Sequence, residues 1–228
     1  MLDKRNFYIN GKWVIPSKKN DFEVINPSNE EPFATISLGY KEDTNAAVIA
    51  AKNAFIKWKE TSKEERIVLL EKLLTIYKKR FNEMSKAISM EMGAPMDWSF
   101  SAQTTSGQTH LEDFILRLKD FNFEEHFDSK SNNHISYEPI GVCGLITPWN
   151  WPINQIALKV VPALATGCVM ILKPSEIAPI SAMLFAEMID EAGFPPGVFN
   201  LVNGDGTGVG THISTHPDID MVSFTGST

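Results

Sequence analysis

The chain has 228 residues, of which 43% are hydrophobic and 21% charged, and its 28 acidic against 21 basic side chains give a net charge of −7. This composition is that of an ordinary globular protein with enough apolar residues for a sizeable core, and it excludes a largely disordered chain. The acidic balance also argues against a nucleic-acid partner, which would require a basic face.

The apolar residues of the sequence indicate neither a signal peptide nor a membrane-spanning segment. Residues 1–6 contain no apolar signal-peptide core. The longest mostly apolar segment, residues 160–172, is interrupted by Pro162 and Gly167 and is shorter than the roughly 20 residues of a membrane-spanning helix. With only two cysteines, no disulfide framework is expected. We therefore expect a cytoplasmic protein that does not enter a membrane.

The chain begins with short β-like runs at residues 7–9 and 22–25, separated by turn-forming residues. Asn10-Gly11, between residues 8–9 and 12–14, predicts a two-residue hairpin turn because both residues tolerate a positive φ. We assign residues 1–40 to an amino-terminal β arm.

A helical region follows the arm. Ser62, with Glu65 three residues later, has the pattern of a capping box. After it, apolar side chains recur at spacings of three and four, at Ile67, Leu70, Leu74, Tyr77, Phe81, Met84 and Ile88. This pattern predicts one continuous long helix that Gly93 and Pro95 end.

Less regular helical patterns flank this helix at residues 43–59 and 97–118. We assign residues 41–127 to a helical segment that packs on the second half of the chain. The polar residues 128–133 predict a loop.

From residue 135 onward the pattern changes to strand, turn and helix, repeated. The predicted strands are residues 142–146, 169–172, 198–202 and 221–224, and the predicted helices between them are 153–166, 179–192 and 207–215. Such alternation predicts right-handed βαβ units, that is, an α/β, Rossmann-like, mostly parallel sheet with helices on both faces. Ligands of such sheets bind beyond the carboxyl ends of the strands.

Each predicted strand is followed by a polar or glycine-rich loop. Lys173 ends an apolar strand, where it can donate to a ribose or phosphate, and Glu176 can accept from ribose hydroxyls. A carboxylate there repels a 2′-phosphate, which favours NAD over NADP. The alternative for this pair is an ordinary solvated surface pair.

The glycine loop at residues 204–210 lacks the strict G-x-G-x-x-G spacing, because Val209 and Thr211 stand where the third glycine is required. Glycines before a helix still permit close approach of a phosphate, and an ordinary tight turn is the alternative.

Asn150 lies between Pro148 and Pro152, so its loop is stiff. Its amide could donate to a developing oxyanion, an interaction typically worth about 3–4 kcal/mol. A turn hydrogen bond is the alternative.

The histidines and cysteines of the sequence indicate neither a metal site nor a reactive thiol. His212 and His216 are four residues apart on a predicted helix, but no third ligand has suitable spacing, so no metal site is expected. Cys143 and Cys168 lie in apolar surroundings with no basic neighbour in the sequence, and we expect both to be buried and unreactive.

Five motifs, in this order, resemble those of the NAD(P)-dependent aldehyde dehydrogenase family. They are ITPWNWP at residues 146–152, PALATG at 162–167, KPSE at 173–176, GVFN at 197–200 and SFTGS at 223–227. Residues 8–13 and 25–27 also resemble the amino-terminal arm of that family, so the resemblance covers essentially the whole chain. It implies a truncated aldehyde dehydrogenase fold, in which residues 142–228 form an incomplete NAD-binding region.

The resemblance implies roles for the matching positions. Asn150 corresponds to the oxyanion-stabilising residue, and Lys159 to a lysine of a proton relay, with a snorkelling helix lysine as the alternative. The implied cofactor is NAD, with NADP less favoured. Its implied binding residues are Ile146, Thr147, Pro148, Trp149, Asn150, Lys173, Pro174, Ser175, Glu176, Gly206, Gly210, Phe224, Gly226 and Ser227. Residues 128–141 resemble a β-flap used for assembly into dimers or tetramers.

In that family a cysteine thiolate attacks the aldehyde, hydride passes to the nicotinamide, and a glutamate activates water. Both catalytic residues follow the family's Phe-Thr-Gly-Ser motif, and this sequence ends within that motif. We therefore expect the chain to supply the NAD site and oxyanion asparagine of an aldehyde dehydrogenase and to be inactive alone. The alternative is a truncated, non-catalytic dinucleotide-binding or interaction module.

Overall fold

A computed structural model of the chain describes residues 1–127 and 132–227. The strands in this part are β1 (Leu2–Lys4), β2 (Phe7–Ile9), β3 (Lys12–Val14), β4 (Asp21–Asn26), β5 (Glu31–Ser37), β6 (Glu124–His126), β7 (His134–Ser136), β8 (Val142–Ile146), β9 (Val169–Lys173), β10 (Phe199–Leu201) and β11 (Met221–Phe224). The helices are α1 (Lys41–Trp58), α2 (Lys63–Lys79), α3 (Phe81–Met92), α4 (Met96–Trp98), α5 (Thr105–Asp120), α6 (Pro152–Ala165), α7 (Ile180–Ala192) and α8 (Thr211–Thr215). Short π-helical turns, Ser99–Thr104 and Gly206–Gly210, precede α5 and α8.

The central sheet has the strand order β11-β8-β9-β10-β2-β3. Its first four strands are parallel, whereas β2 and β3 each run antiparallel to the preceding strand. The predicted mostly parallel sheet is therefore confirmed. Every residue of β8 and β9 is buried, as expected of parallel strands that are covered on both faces.

The order of the strands places the helices on the two faces of the sheet. The connections through α6 and α7 advance across the sheet in one direction, from β8 to β9 to β10, whereas the connection through α8 returns to β11. Right-handed crossovers then put α6 and α7 on one face and α8 on the other. Helix α1 contacts both the sheet and α8, and α2 and α5 pack against α6.

The amino-terminal arm is divided between two sheets. Asn10 (φ 53°) and Gly11 (φ 73°) form the predicted hairpin turn, but the hairpin β2–β3 extends the central sheet, with Tyr8 opposite Leu201. Strands β1, β5 and β4 form a separate three-stranded sheet. The sequence pattern did not reveal this, because β2 pairs with a strand close to the other end of the chain.

The prediction of one continuous helix between Ser62 and Gly93 is wrong. The chain forms α2 and α3 with a break at Arg80, whose backbone (φ −98°, ψ 16°) is not helical. The guanidinium of Arg80 binds Glu83 and Glu187, each at 2.7 Å. Apolar spacing continues across a one-residue break, which is why periodicity alone did not detect it. The predicted capping box at Ser62 and the predicted end at Gly93 (φ 76°) are both confirmed.

The region predicted as a loop at residues 128–133 lies mostly outside the described residues. On either side of it, β6 and β7 form a two-stranded antiparallel sheet. Within residues 1–127 and 132–227, none of the helices is long and apolar enough to cross a membrane.

Candidate functional site

A cavity of about 700 Å³ lies beyond the carboxyl ends of the parallel strands. It is lined by Ile146, Thr147, Pro148, Trp149, Asn150, Gln155, Lys173, Ser175, Glu176, Gly206, Gly210, Thr211, Ser214, Phe224, Thr225, Gly226 and Ser227. The structure therefore brings together every residue predicted to bind the cofactor except Pro174, which lies between two lining residues. The position is the topological switch point of the sheet, because β11 pairs with β8 on the side opposite β9.

Four of the lining residues were not predicted to bind the cofactor: Gln155, Thr211, Ser214 and Thr225. The first three belong to helices, and loop motifs do not show which face of the following helix turns toward a cavity. A usable signal was present in α8, because Thr211 and Ser214 are three residues apart and so share a helix face.

A somewhat larger cavity, of about 810 Å³, lies against the amino-terminal strands. Its cations already have carboxylate partners, since Lys4 binds Glu187 at 2.8 Å and Arg5 binds Asp3 at 2.7 Å. Because these charges are already paired, few charged groups remain in this cavity that could bind a charged ligand. We therefore take the cavity at the strand ends as the candidate site.

One wall of the candidate site carries a buried ammonium group. Lys173 is only 4% exposed, and its Nζ donates to the carbonyl oxygen of Pro174 (3.0 Å) and to Glu176 Oε2 (3.3 Å). Burial lowers the pKa of Lys173, and the nearby carboxylates of Glu176 and Asp205 oppose that effect. The wall thus presents a cation with an adjacent carboxylate, the pair expected at a ribose.

The glycine-rich wall presents backbone rather than side chains. The carboxylate of Asp205 accepts a hydrogen bond from Gly208 N and so caps the π-helical turn that begins at Gly206. A Cβ atom placed on Gly206 would meet no atom within 4 Å, whereas one on Gly210 would lie 3.8 Å from Lys173 Cδ. The turn therefore leaves open space in front of its backbone, into which a phosphate could approach.

The loop after β8 contributes polar groups that lack partners. Thr147 is 3% exposed, yet its Oγ1 makes no hydrogen bond within the described residues. Asn150 is held through its backbone, since its carbonyl oxygen accepts from Gln103 Nε2 at 3.3 Å, while its side chain is exposed at the cavity. A buried hydroxyl without a partner is costly, so a bound ligand that hydrogen bonds to Thr147 would remove this cost.

Lys159 does not line this cavity. It extends from α6, and its Nζ donates to Ser223 Oγ at 2.7 Å. Burial lowers its pKa. It lines a separate pocket of about 380 Å³ together with Cys143 and Cys168. Both cysteines are buried, as predicted, and neither reaches the candidate site.

The two histidines considered for metal binding have other surroundings. His216 Nε2 lies 3.2 Å from Asn45 Oδ1, and His212 lies in α8. Among residues 1–127 and 132–227, no group of three or more His, Cys, Asp or Glu side chains is arranged to hold a metal ion.

Comparison with known proteins gives a consistent result. A protein-family model described as "Aldehyde dehydrogenase family" matches residues 13–228 of the sequence. A curated relative, 3-succinoylsemialdehyde-pyridine dehydrogenase from a Pseudomonas species, is 52% identical over 100% of this chain and 47% of its own length. The chain therefore spans about half the length of the curated relatives it matches.

Solved structures agree. Aldehyde dehydrogenase from Bartonella henselae superimposes with a TM-score of 0.98 at 57% identity, over 100% of this chain and 48% of that protein. A mutant of aldehyde dehydrogenase C from Pseudomonas syringae, solved in complex with NAD+ and octanal, gives a TM-score of 0.93 at 43% identity, over 96% of this chain and 44% of that protein.

Proposed function

The chain belongs to the aldehyde dehydrogenase family, and from this premise we propose that it forms the NAD+-binding part of an enzyme that oxidises an aldehyde to a carboxylic acid. The observation that carries the proposal is the cavity at the switch point of the parallel sheet, where the Lys173–Glu176 pair, the open glycine turn and Asn150 meet. These three features match the ribose, the diphosphate and the reacting end of a dinucleotide.

The residues present fit such a ligand. Lys173 and Glu176 would bind ribose hydroxyls, the backbone at Gly206 would approach the diphosphate, and the unpaired hydroxyl of Thr147 would gain a hydrogen-bond partner. NAD+ itself, when bound, supplies the hydride acceptor. The exposed amide of Asn150 donates to the oxygen of the aldehyde as negative charge develops on it.

NAD+ is the proposed cofactor rather than NADP+. The Glu176 carboxylate lies at the cavity wall beside Lys173, where it would repel a 2′-phosphate on the adenosine ribose. Solved relatives of the family have been crystallised with NAD+, which supports the same choice.

The nucleophile is proposed to lie outside these 228 residues. Cys143 is 1% exposed, Cys168 is 5% exposed, and both line a pocket other than the candidate site. Neither thiol can therefore attack an aldehyde that Asn150 holds. We propose that this chain binds NAD+ but does not turn over an aldehyde alone, and that the remainder of a full-length enzyme supplies the cysteine and glutamate.

Assembly and location follow as proposals from the same premise. Next to the two-stranded β6–β7 sheet lie the exposed aromatic residues Phe127 and Tyr137, which suits a role in a homodimer or homotetramer of the full-length enzyme in the cytoplasm. The second candidate function, a non-catalytic dinucleotide-binding module, shares the same cavity and differs only in lacking the catalytic half.

Titration with NAD+ and NADP+ tests the proposed site. The substitution Gly206→Val adds a side chain where nothing lies within 4 Å, so the fold should keep its melting temperature, while NAD+ affinity should fall by about tenfold or more because the diphosphate position is filled. Thr207→Val places the same side chain at the next, exposed position, which does not line the cavity, and should bind NAD+ normally.

Equal NAD+ affinity of the two variants would contradict the proposed site, and so would tighter binding of NADP+ than of NAD+ by the unsubstituted chain. Formation of NADH from an aldehyde by the chain alone would contradict the proposed external nucleophile. Isolation of the polypeptide from its native source at about twice this mass would favour the enzyme over the module.

A further inference from the structure

A cavity of about 470 Å³ lies between the end of α1, the start of α2 and the β6–β7 sheet. As far as the structure describes the chain, none of the residues that line it belongs to the candidate NAD+ site. Among the described lining residues, Arg66 alone is buried, and the others are half-buried or exposed. The guanidinium of Arg66 therefore lies at the inner end of this cavity, which we call the Arg66 cavity.

Arg66 carries a buried positive charge without a counter-ion. The residue is 5% exposed, and its Nε has no hydrogen-bond partner. Within residues 1–127 and 132–227, none of the ion pairs includes Arg66. Burial of a charge is costly unless an opposite charge and hydrogen bonds compensate for it. An anion bound in the Arg66 cavity would supply both.

Packing rather than hydrogen bonding holds the guanidinium in place. Its Cζ lies 5.1 Å from the centre of the Phe123 ring, which is a cation–π contact. The group also lies against Gly167, where an added Cβ atom would be 2.7 Å from Arg66 Nη1. An aromatic face does not replace acceptors for the N–H groups in the guanidinium plane, so these groups are available to a ligand.

The other charges of the Arg66 cavity decide which anion fits. Lys59 and Glu60 form an ion pair at 3.5 Å, so their charges offset each other. Glu124 and Glu138 are exposed lining residues. Their carboxylates repel an anion of two charges about twice as strongly as an anion of one charge. A monoanion is therefore favoured over a dianion such as sulfate.

A carboxylate with an apolar body matches the remaining features. Its two oxygens suit two parallel N–H groups of a guanidinium. Phe55 and Phe123 are half-buried lining residues, so an apolar body would remove ring surface from water. The volume of the cavity is within the range of small-molecule sites.

We propose that the Arg66 cavity binds a small monocarboxylate with an apolar body. The carboxylate pairs with Arg66, and the apolar part packs on Phe123. Glu124 and Glu138 exclude anions of higher charge. The site is separate from the proposed NAD+ site and does not depend on it.

Titration of the whole chain with hexanoate tests the proposal through the NMR signal of the Arg66 side-chain Nε–H group. The arginines of the chain are Arg5, Arg66, Arg80 and Arg117, so the signal can be assigned in the unsubstituted protein. Hexanoate should shift this signal and raise the melting temperature, because it binds the folded chain.

Three probes at the same ionic strength serve as controls for this titration. Acetate lacks the apolar body, hexanamide lacks the charge, and sulfate carries two charges. Each should bind at least about tenfold more weakly than hexanoate.

Variants show which residues provide the site. Arg66→Gln should weaken hexanoate binding by about tenfold or more, whereas Arg117→Gln, which removes a largely exposed arginine, should leave it unchanged. Glu138→Gln removes one repelling carboxylate, so it should tighten hexanoate binding about twofold and sulfate binding by a larger factor.

Three results would overturn the proposal. They are an Arg66 signal that hexanoate does not shift, sulfate binding as tight as hexanoate binding, and a ligand-free Arg66 signal that Glu138→Gln shifts together with a fall in melting temperature. The last result would identify Glu138 as the counter-ion of Arg66 in the folded chain. The first two are measured on the unsubstituted protein, so they remain decisive even if Arg66→Gln does not fold.

Discussion

Glu91 on α3 and Lys173 at the end of β9 are both buried ionisable side chains, 0% and 4% exposed, but their hydrogen bonds serve different purposes. Glu91 accepts from the backbone N–H groups of Ile180 (2.5 Å) and Ser181 (3.2 Å) at the start of α7. Lys173 donates to Pro174 and Glu176 within its own loop, at the wall of the candidate cavity.

The comparison separates a buried charge that supports the fold from one that is available to a ligand. The Glu91 carboxylate closes the first turn of a helix from another part of the chain, so its partners are backbone groups that have no other acceptor. The Lys173 ammonium group has three donors and two partners in its own loop, so a further donor can serve a molecule in the cavity. Substitution should therefore affect stability at the first residue and binding at the second.

The largest effect is expected for Glu91→Ala. It leaves two buried N–H groups of α7 unpaired at about 2 kcal/mol each, so the free energy of unfolding should fall by about 4 kcal/mol. Glu91→Gln keeps an acceptor and should lose much less. Urea unfolding of the two variants measures this. If the alanine variant lost less than about 1 kcal/mol of unfolding free energy, Glu91 would not be a side chain that stabilises the fold.

A somewhat smaller effect is expected from pH. Burial raises the pKa of Glu91 to about 7 from an ordinary 4.5, against the opposing hydrogen bonds from Ser181 and Ile180. Because the folded pKa is the higher one, the stabilisation is complete below pH 4.5 and is lost as the pH rises through 7. At about 1.4 kcal/mol per pKa unit the loss approaches 3 kcal/mol.

The check is the difference in unfolding free energy between the unsubstituted chain and Glu91→Gln, followed from pH 4.5 to above 7. The unsubstituted chain should lose stability relative to the variant across this window. A constant difference would show that the carboxyl of Glu91 titrates normally in the folded chain.

The smallest effect is expected for Lys173→Met. It removes a desolvated cation from the cavity wall without opening a void, so stability should stay equal or increase. The dissociation constant for NAD+ should rise about tenfold, which corresponds to about 1.4 kcal/mol. Calorimetric titration measures it, with exposed Lys72→Met as the control. If the variant lost stability but kept its NAD+ affinity, Lys173 would support the fold and not the binding of a ligand.

Much of the parallel region could be predicted from short-range patterns. Strands β8 and β11 have the predicted bounds, and β9 differs by one residue, because short β-branched runs between turn residues are local signals. The loop residues that line the cavity were also predictable, since the carboxyl ends of parallel strands must meet at one edge of the sheet.

Other features depend on contacts between distant residues. The break at Arg80 interrupts no apolar periodicity, and its ion pair with Glu187 joins the break between α2 and α3 to α7. The position of Lys159 in a pocket away from the cavity depends on how α6 is rotated against β11. The helical lining residue Gln155 required the same information.

The sequence alone determined the α/β class, the family and the set of loops at the site, because each follows from the order and local chemistry of the residues. Only the tertiary structure decided that the β2–β3 hairpin completes the central sheet, that Glu91 caps α7, and that Arg66 lies against Gly167. Each of these joins residues far apart in the chain. Their free energy comes from burial and from hydrogen bonds formed only after the elements pack, so no local pattern records them.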